Sequence, residues 1–545
     1  MSDDAKSLVA AQERLAADRS NYDSWWDRIA ERVLPAQATF TTTTDEGTPR
    51  TERLFSGKPV TANERFAAIL DELLTPRNQE WHGLEPEDPE IAESHECKVY
   101  LDRLTKLLFA KRYSPRANYA AQRHQGYLSV GAFGNSNLFI DEEVGQGPRY
   151  RHVPLKESFW DLNHVGRIDT MYRRYPLTAR QAMQDAKEMR WRLPPDVVKA
   201  YETNSTQEFE FIHCVKPNDD YKPNRMDAAG MKWSSFYLCL SDKERILSTG
   251  GFRTWPYATG RYMVHGRNRY GHSPAMAAWP GILTLNEEKK TVLRAGQKIV
   301  DPPVLLSEDG ALEPFNMRSA ALNPGLLSSN GEPLAKPFET KGNVPLGMEL
   351  MGLETSDIDE AFLISIFRML MDPRMTAAQV YELASQKATI IAPTTSRLQA
   401  EDLGAQIERE IDILAQDSAN AWILNEMPDE LREAGGAYKI VYKSPLARAM
   451  RANDGVAILR TLEVIPGAAA VDPNAIHVMD VPASIRELAD INGVPAKLLR
   501  SEQDVMARIQ ASQEQAAVMA AAQVAQPASQ AALNAAKAED LRTGT

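Results

Sequence analysis

Residues 270–303, YGHSPAMAAWPGILTLNEEKKTVLRAGQKIVDPP, decide how the rest of the chain is read. Ser273 before Pro274 is a helix start: the serine hydroxyl caps free backbone N–H groups, and proline occupies the first turn, where no donor is needed. Pro280 restarts the helix. From there to Val300, apolar Ile282, Leu283, Leu285, Val292, Leu293 and Ile299 stand beside Glu287, Glu288, Lys289, Lys290, Arg294 and Lys298. About twenty residues make a helix roughly 30 Å long. Asp301-Pro302-Pro303 ends it, because proline lacks a donor and restricts its predecessor. The next segment, to about Pro345, is dense in Pro, Gly, Asn and Ser and reads as an extended protrusion with short strands. A second helix brackets it, starting near Ser356, whose spacing to Asp359 is that of a capping box. It runs through Phe362, Ile366, Leu370 and Met371 to a break at Asp372-Pro373-Arg374.

Toward the N-terminus, the spacing of Leu8, Leu15, Tyr22, Trp25, Trp26, Ile29 and Val33 predicts a helix that Pro35 ends. Thr39 to Thr51 reads as a loop. Further helices are expected over Thr61 to Leu74, Glu90 to Lys111 and Pro115 to Val130. The pattern then changes to short runs rich in aromatic and branched residues. Asn137 to Ile140, Phe159 to Leu162, Ile168 to Arg173, Phe209 to Val215 and Ser235 to Leu240 are expected strands. One helix interrupts them, opening at Thr178 with Gln181 in a capping box. Residues 137 to 265 therefore read as a mixed, mostly antiparallel region, and the fold class as α+β. Toward the C-terminus, Thr376 with Gln379 opens a long helix from Ala377 to about Glu426, kinked by Pro393. Tyr438 to Tyr442 and two or three helices follow, to about Leu499. The Ala/Gln-rich residues 510 to 545 read as a weak helix or mobile tail.

Composition narrows the function classes. The 545 residues suggest three or more compact units, or one long subunit with several lobes. An apolar share of 43% with 25% charged residues rules out wholesale disorder. A net charge of −12 opposes the counterion release that drives ordinary duplex binding, so a basic DNA-wrapping protein is not expected. Three cysteines, Cys97, Cys214 and Cys239, fit a reducing compartment. Neither a secretory leader nor an eighteen-residue apolar run is visible, and the expectation is a cytosolic chain that does not span a membrane.

Motifs of catalysis are missing. Gly57-Lys58 is followed by Pro59 and lacks the phosphate-loop pattern; H-E-x-x-H, G-x-S-x-G and paired C-x-x-C do not occur. His95-Glu96-Cys97 has the wrong spacing for a compact zinc site and reads as helix surface. His213 and Cys214, with Cys239, could pair as base and nucleophile, but buried cysteines in a β region are commoner. Glu354, Asp357, Asp359 and Glu360 either hold a cation or, as favoured, sit at a helix N-terminus where the dipole is positive. Lys289, Lys290, Arg294 and Lys298 form either a solvated face or the wall of a nucleic-acid passage. No cofactor is expected.

The order of several weak motifs resembles the portal, or head-to-tail connector, proteins of short-tailed bacteriophages. These are Leu74-Thr75-Pro76 followed by Trp81, Gln125-Gly126 to Gly131-Ala132-Phe133-Gly134, and Tyr270-Gly271-His272-Ser273-Pro274. Leu285-Asn286, Pro302-Pro303, Thr376-Ala377, Ala384-Ser385 and the Ala/Gln-rich end complete the series. The resemblance covers most of the chain. It implies a non-enzymatic ring of twelve copies at one capsid vertex of the virion, assembled in the host cytoplasm, which nucleates head assembly. Double-stranded DNA would pass through it during packaging and ejection. The terminase large subunit, major capsid and scaffolding proteins and tail adaptors would be partners.

In that scheme residues 1–270 form a wing, 271–300 a first stem helix, 301–345 a clip and 346–371 a second stem helix. Residues 372–430 hold a tunnel loop and kinked wing helix, 431–502 a crown, and 503–545 the tail. Lys289, Lys290, Arg294, Lys298 and Arg374 would line the channel. Glu308, Asp309, Arg318 and Lys336 would belong to the docking clip. Physical reasoning agrees in part: around a duplex, a wall at roughly 20 Å radius holds about a dozen helices each about 10 Å across, and a net acidic channel lets DNA slide. A metal-dependent nucleic-acid enzyme built on Glu354, Asp357 and Asp359, and a monomeric adaptor or tail protein, are the alternative readings.

Overall fold

A computed structural model describes residues 4–42, 47–48, 50–51, 53–143, 145–223, 225, 227–306, 316, 318, 322–323, 326–338, 343–365, 391–469, 479–491 and 505–512. Four helices come first, as the apolar spacing predicts: α1 (Ala5–Val33), α2 (Lys58–Leu74), α3 (His95–Arg112) and α4 (Tyr119–Phe133). Trp26, Ile29 and Val33 of α1 are fully buried with Phe66 of α2 and Phe133 of α4. Trp26 lies edge-on to Phe133 and to Tyr270, so the first helix is keyed to the lead-in of the segment that opens the sequence reading. The strand β1 (His82–Pro86) separates α2 from α3.

Two antiparallel sheets follow. β2 (Asn135–Glu143) pairs with β3 (Gly147–His152) on one side and β9 (Tyr257–Arg261) on the other. β4 (Ser158–Leu162), β5 (Ile168–Thr178), β6 (Glu208–Pro217), β7 (Trp233–Cys239) and β8 (Asp242–Phe252) form a five-stranded meander in chain order. All five expected strands are present, and the α+β class holds. The Thr178 capping box is formed in both directions at the start of α5 (Ala179–Met189). A second helix, α6 (Pro195–Thr203), follows it, although only a single helix was expected among these strands. β3, β8 and β9 were also not anticipated. β8 carries Asp242, Lys243, Glu244 and Arg245 in its first residues, the charged composition by which an edge strand avoids further pairing, and that hides its strand pattern.

The remaining elements are α7 (Pro274–Ala277), α8 (Trp279–Val300), β10 (Val304–Leu306), β11 (Ala335–Pro337) and α9 (Val344–Ala361). Helical residues 391–398 and a π-turn over Gln399–Leu403 lead into α10 (Gly404–Gln416). Tyr438–Tyr442 is β12, which pairs antiparallel with β1, so a strand more than 350 positions away closes the N-terminal part of the body. Short helical turns at Trp422–Asn425 and Asp429–Glu433 precede β12; helices α11 (Pro445–Ala469) and α12 (Val481–Ile491) follow it, with 505–512 helical beyond them.

Two helix expectations are corrected. α9 begins at Val344 and not near Ser356; its N-cap is Asn343, whose side chain accepts from the Leu346 N–H at 3.2 Å. Pro345, taken as the end of the extended segment, is in the first helical turn, where proline is well tolerated. Ser356 is thus mid-helix, where a spacing of three only places two residues on one face. The helix also ends at Ala361, and Leu363 takes the left-handed conformation at φ 60°, so the expected continuation is broken there. The run from Ala377 to Glu426 is continuously helical only over its described residues 391–416; it stops at Gln416 with Asp417 extended, and Trp422–Asn425 is a separate short helix. Its regular geometry changes at the π-turn, six residues after Pro393. The expected break at Asp372-Pro373-Arg374 and the start near Thr376 lie outside the described residues.

Buried ion pairs lock this late helix to the early body. Arg112 of α3 pairs with Glu410 of α10, which also accepts from the Tyr150 hydroxyl at 2.6 Å. Arg123 of α4 pairs with Asp402 of the π-turn at 2.8 Å, and Ser136 donates to the same carboxylate at 2.7 Å. Such pairs add little net stability, because desolvation offsets attraction, but each one mispaired is costly. They fix the register of the helix against α3 and α4.

Candidate functional site

The site is the helix pair α8–α9. Its base is built from the motifs of the opening segment. Gly134 ends α4 at φ 76°, and a Cβ there would lie 2.7 Å from the His272 backbone, so only glycine allows the two segments to touch. The Gly271 N–H donates to Asn135 Oδ1 at 2.8 Å. Ser273 Oγ accepts from the Met276 N–H and donates to the Ala132 carbonyl, both at 2.9 Å. The Tyr-Gly-x-Ser-Pro lead-in is thereby fastened to the end of α4.

Leu285-Asn286 fastens the next turn. Leu285 is buried, and the Asn286 side chain accepts from the Phe55 and Ser56 N–H groups and donates to the Arg53 carbonyl. On the opposite helix, Asp359 is ion-paired with Lys58 of α2 at 2.6 Å. Beyond these anchors the pair leaves the body. Of α8 only Ile282, Leu285 and Asn286 are buried, and of α9 only Ile358 and Asp359. α8 spans about 33 Å at 1.5 Å per residue, and its last fourteen residues, 287–300, carry no buried side chain.

The two helices run antiparallel: Glu354 lies over Gly281, and Gly347 over Val292. A residue two positions from an inward one is rotated about 200° on the helix. Lys290 and Arg294, two either side of Val292, therefore point away from α9, and Lys298 continues that side. Lys289, Arg294 and Lys298 are exposed and have no ion-pair partner among the described residues. Lys290 is half-buried, held by Glu287 at 3.1 Å and lying 5.5 Å from the centre of the Phe55 ring. The four cations expected to act together are thus divided into one engaged and three free.

The acidic group is placed otherwise than favoured from sequence. Glu354, Asp357, Asp359 and Glu360 occupy the C-terminal turns of α9, not its N-terminus, because the helix starts at Val344. The dipole argument therefore fails for α9. Glu354 instead lies against the first turn of α8, where a carboxylate is favourable. Burial and the nearby Glu354 carboxylate push Glu288 above the usual carboxylate range. No group of three or more His, Cys, Asp or Glu side chains able to hold a metal occurs among the described residues. The metal site of the enzyme alternative, Glu354, Asp357 and Asp359, is therefore not brought together.

The other candidates separate as well. His213 and Cys214 are neighbours on β6 and so point to opposite faces. His213 is stacked flat on Tyr237, bonded to the Tyr257 hydroxyl at 2.7 Å and to Ser235 Oγ at 3.0 Å; burial lowers its pKa to about 3. Cys214 is buried in the cluster under α1, and Cys239 in the one under α5 and α6. Cys97 faces the core on α3. Arg318 and Lys336 are exposed, Lys336 on β11 opposite Leu305 of β10. Glu308, Asp309 and Arg374 lie outside the described residues. Sequence reasoning noticed Asn286 only as a motif; a polar residue beside a core leucine on the buried face of a helix was the available signal for an anchor.

Exposed apolar side chains crowd the free part of the pair. Leu293 and Ile299 on α8 and Leu346, Met348 and Leu353 on α9 are each about half exposed or more. An apolar surface of that extent on a projecting element marks a contact region. No helix among the described residues is long and apolar enough to cross a membrane. The class defined is an α+β chain from whose body a two-helix arm projects with unpaired charge and uncovered apolar area.

Residues 5–499 match the model of the family described as bacteriophage head to tail connecting protein, and the chain belongs to that family. It is 25% identical over 541 residues to a probable portal protein of Bordetella phage BPP-1, covering 97% of this chain and 94% of the relative. It is 24% identical over 545 residues to the portal protein of Salmonella phage epsilon15, with the same coverage. A chain from the neck of an empty GTA particle, computed with C6 symmetry, aligns with 85% of this chain and 98% of its own length. Identity there is 12% and the TM-score 0.34, too loose a superposition to carry an argument.

Proposed function

We propose that this connector closes into a ring, of twelve copies on the spacing argument, at one vertex of the phage head. Double-stranded DNA passes through it during packaging and ejection. The α8–α9 pair is the stem around the passage, the segment 301–345 the clip that meets terminase and tail adaptors, and residues 1–270 the main part of the wing. Helices α11 and α12 belong to the crown, and the chain has no catalytic step of its own. Its place is the virion, with assembly in the host cytoplasm and scaffolding and capsid proteins as partners.

One observation carries this reading. An arm anchored at its base by Asn286 and Asp359, yet open along its length, is stable only if something else covers it. A closed ring of head-to-tail contacts covers every arm with the next. The free cations Lys289, Arg294 and Lys298 then serve the passage and the seams between copies, within a net charge of −12 that keeps DNA sliding.

Mass photometry and negative-stain imaging of the purified chain test it. Perforated rings near 730 kDa, about twelve times the 60.7 kDa chain mass, are expected without nucleotide. A strictly monomeric, unperforated particle at high concentration would overturn the reading.

A further inference from the structure

The two outward faces of the α8–α9 arm carry opposite charge. On α8 the side turned away from α9 presents Arg294 and Lys298, with Leu293 at its margin. On α9, Glu349 lies two residues from the inward Gly347, so it points away from α8 by the rotation of about 200° per two residues, and Glu360, six residues from the inward Glu354, is exposed and turned about 240° from it. Leu346 and Leu353, three before and four after Glu349, share its side and are 50% and 62% exposed. Arg294, Lys298, Glu349 and Glu360 have no ion-pair partner among the described residues. One arm is thus a strip with a cation-bearing edge and an acid-bearing edge, each flanked by uncovered leucine.

We propose that the acid-bearing edge of α9, centred on Glu349 between Leu346 and Leu353, docks onto the Arg294 face of α8 in a second copy of this chain. The inference rests on the ring reading and adds to it which surfaces meet. Edges that are complementary to each other but not to themselves give a head-to-tail contact, the kind that closes into rings, and not a two-fold dimer. Like charges brought together by any other pairing of the edges disfavour it. The leucines supply apolar area at each seam, and the charge fixes which edge meets which. Arg294 is thereby a seam residue, which leaves Lys289, on a different side of α8, as the cation nearest a passage.

The test is a charge exchange across the seam. Glu349→Arg and Arg294→Glu are each made alone, mixed in equal amounts, and combined in one chain. Each single variant places like charges at every seam, and its rings should require at least tenfold more protein to assemble, with circular dichroism unchanged because both positions are exposed. The equal mixture should recover rings in which the variants alternate, seen by native mass spectrometry as equal numbers of the two chains. The combined variant should recover rings by itself. If either single variant lowers helix content, Glu349→Gln and Arg294→Gln replace the reversals, and the expected reading is ring dissociation at lower salt. Wild-type ring yield in both reversals, or no recovery in the mixture and the combined chain, overturns the seam while leaving the ring in place. Absence of rings in the wild type overturns the ring itself.

Discussion

Lys58 Nζ stands 2.6 Å from Asp359 Oδ1, joining the first turn of α2 to the last turn of α9. The Asp359 side chain is 9% exposed and that of Lys58 19%, so the pair is largely screened from water by the body that it holds to the arm. Asp359→Ala leaves a half-buried ammonium without its counter-ion and should cost about 1–3 kcal/mol. Lys58→Met combined with Asp359→Leu removes both charges and should recover most of that loss. Urea denaturation midpoints check this; equal midpoints for wild type and Asp359→Ala would mean that the pair contributes nothing.

Asn286 satisfies three backbone groups of the 53–56 segment with one side chain. Asn286→Ala strands two N–H donors and one carbonyl, with an expected loss of about 1–3 kcal/mol. The local effect should be larger than the global one. Hydrogen exchange at Phe55 and Ser56 should speed up at least tenfold in the variant, while exchange in the five-stranded sheet stays near wild type. Uniform acceleration across the sheet would show that the anchor is not local.

These anchors also mark what the sequence could and could not reveal. The Ser273-Pro274 start, the Thr178 capping box and the five aromatic-rich strands were legible because each is a local signal, decided by residues within one or two turns of one another. The start of α9 was misread because Pro345 serves equally as a loop residue or in a first helical turn, and only the packing of Gly347 on Val292 decides between them. β1 escaped, and Tyr438 to Tyr442 was set off as a segment but not as a strand, because each is five residues long and pairs only with the other, far along the chain. The division of the α8 cations was hidden for a related reason. Whether Lys290 is free depends on Phe55, a residue from another segment.

Acid should destabilise the fold through buried histidines. Burial lowers His213 to about 3 and His152 to about 4, against about 6.5 when unfolded. Both are neutral in the fold, so the unfolded chain binds more protons below pH 6.5. Their contribution is complete above the unfolded pKa and is lost as pH falls through 6 and 5 toward the folded values, by at most about 1.4 kcal/mol per pH unit for each histidine. His213→Phe keeps a ring against Tyr237 but cannot titrate. It should lower stability at pH 7, where the bonds to Tyr257 and Ser235 are lost, and flatten the decline between pH 6 and pH 5 by about one proton. Urea midpoints at pH 7, 6 and 5 read both effects; an unaltered slope would remove His213 from the account.

The segment proposed as the clip can be excised without touching the arm. Leu306 and Ala335 are cross-strand partners at the open end of the β10–β11 ribbon, so residues 307–334 can be replaced by Asn-Gly, the two-residue turn that suits antiparallel strands. The replacement leaves α8, α9, their anchors and the proposed seam residues Arg294 and Glu349 unchanged. A body whose core includes Trp26, Phe66 and Phe133 does not depend on a segment attached at the far end of the arm. The expected outcome is a melting temperature within about 3 °C of wild type, since none of the described residues in 307–334 is buried, together with intact rings in negative stain. If the proposed docking role of 301–345 is right, DNA packaging in a reconstituted head system with terminase is lost at the same time. Packaging at wild-type rate by the shortened chain would refute that role, and loss of rings would move the segment from docking to assembly.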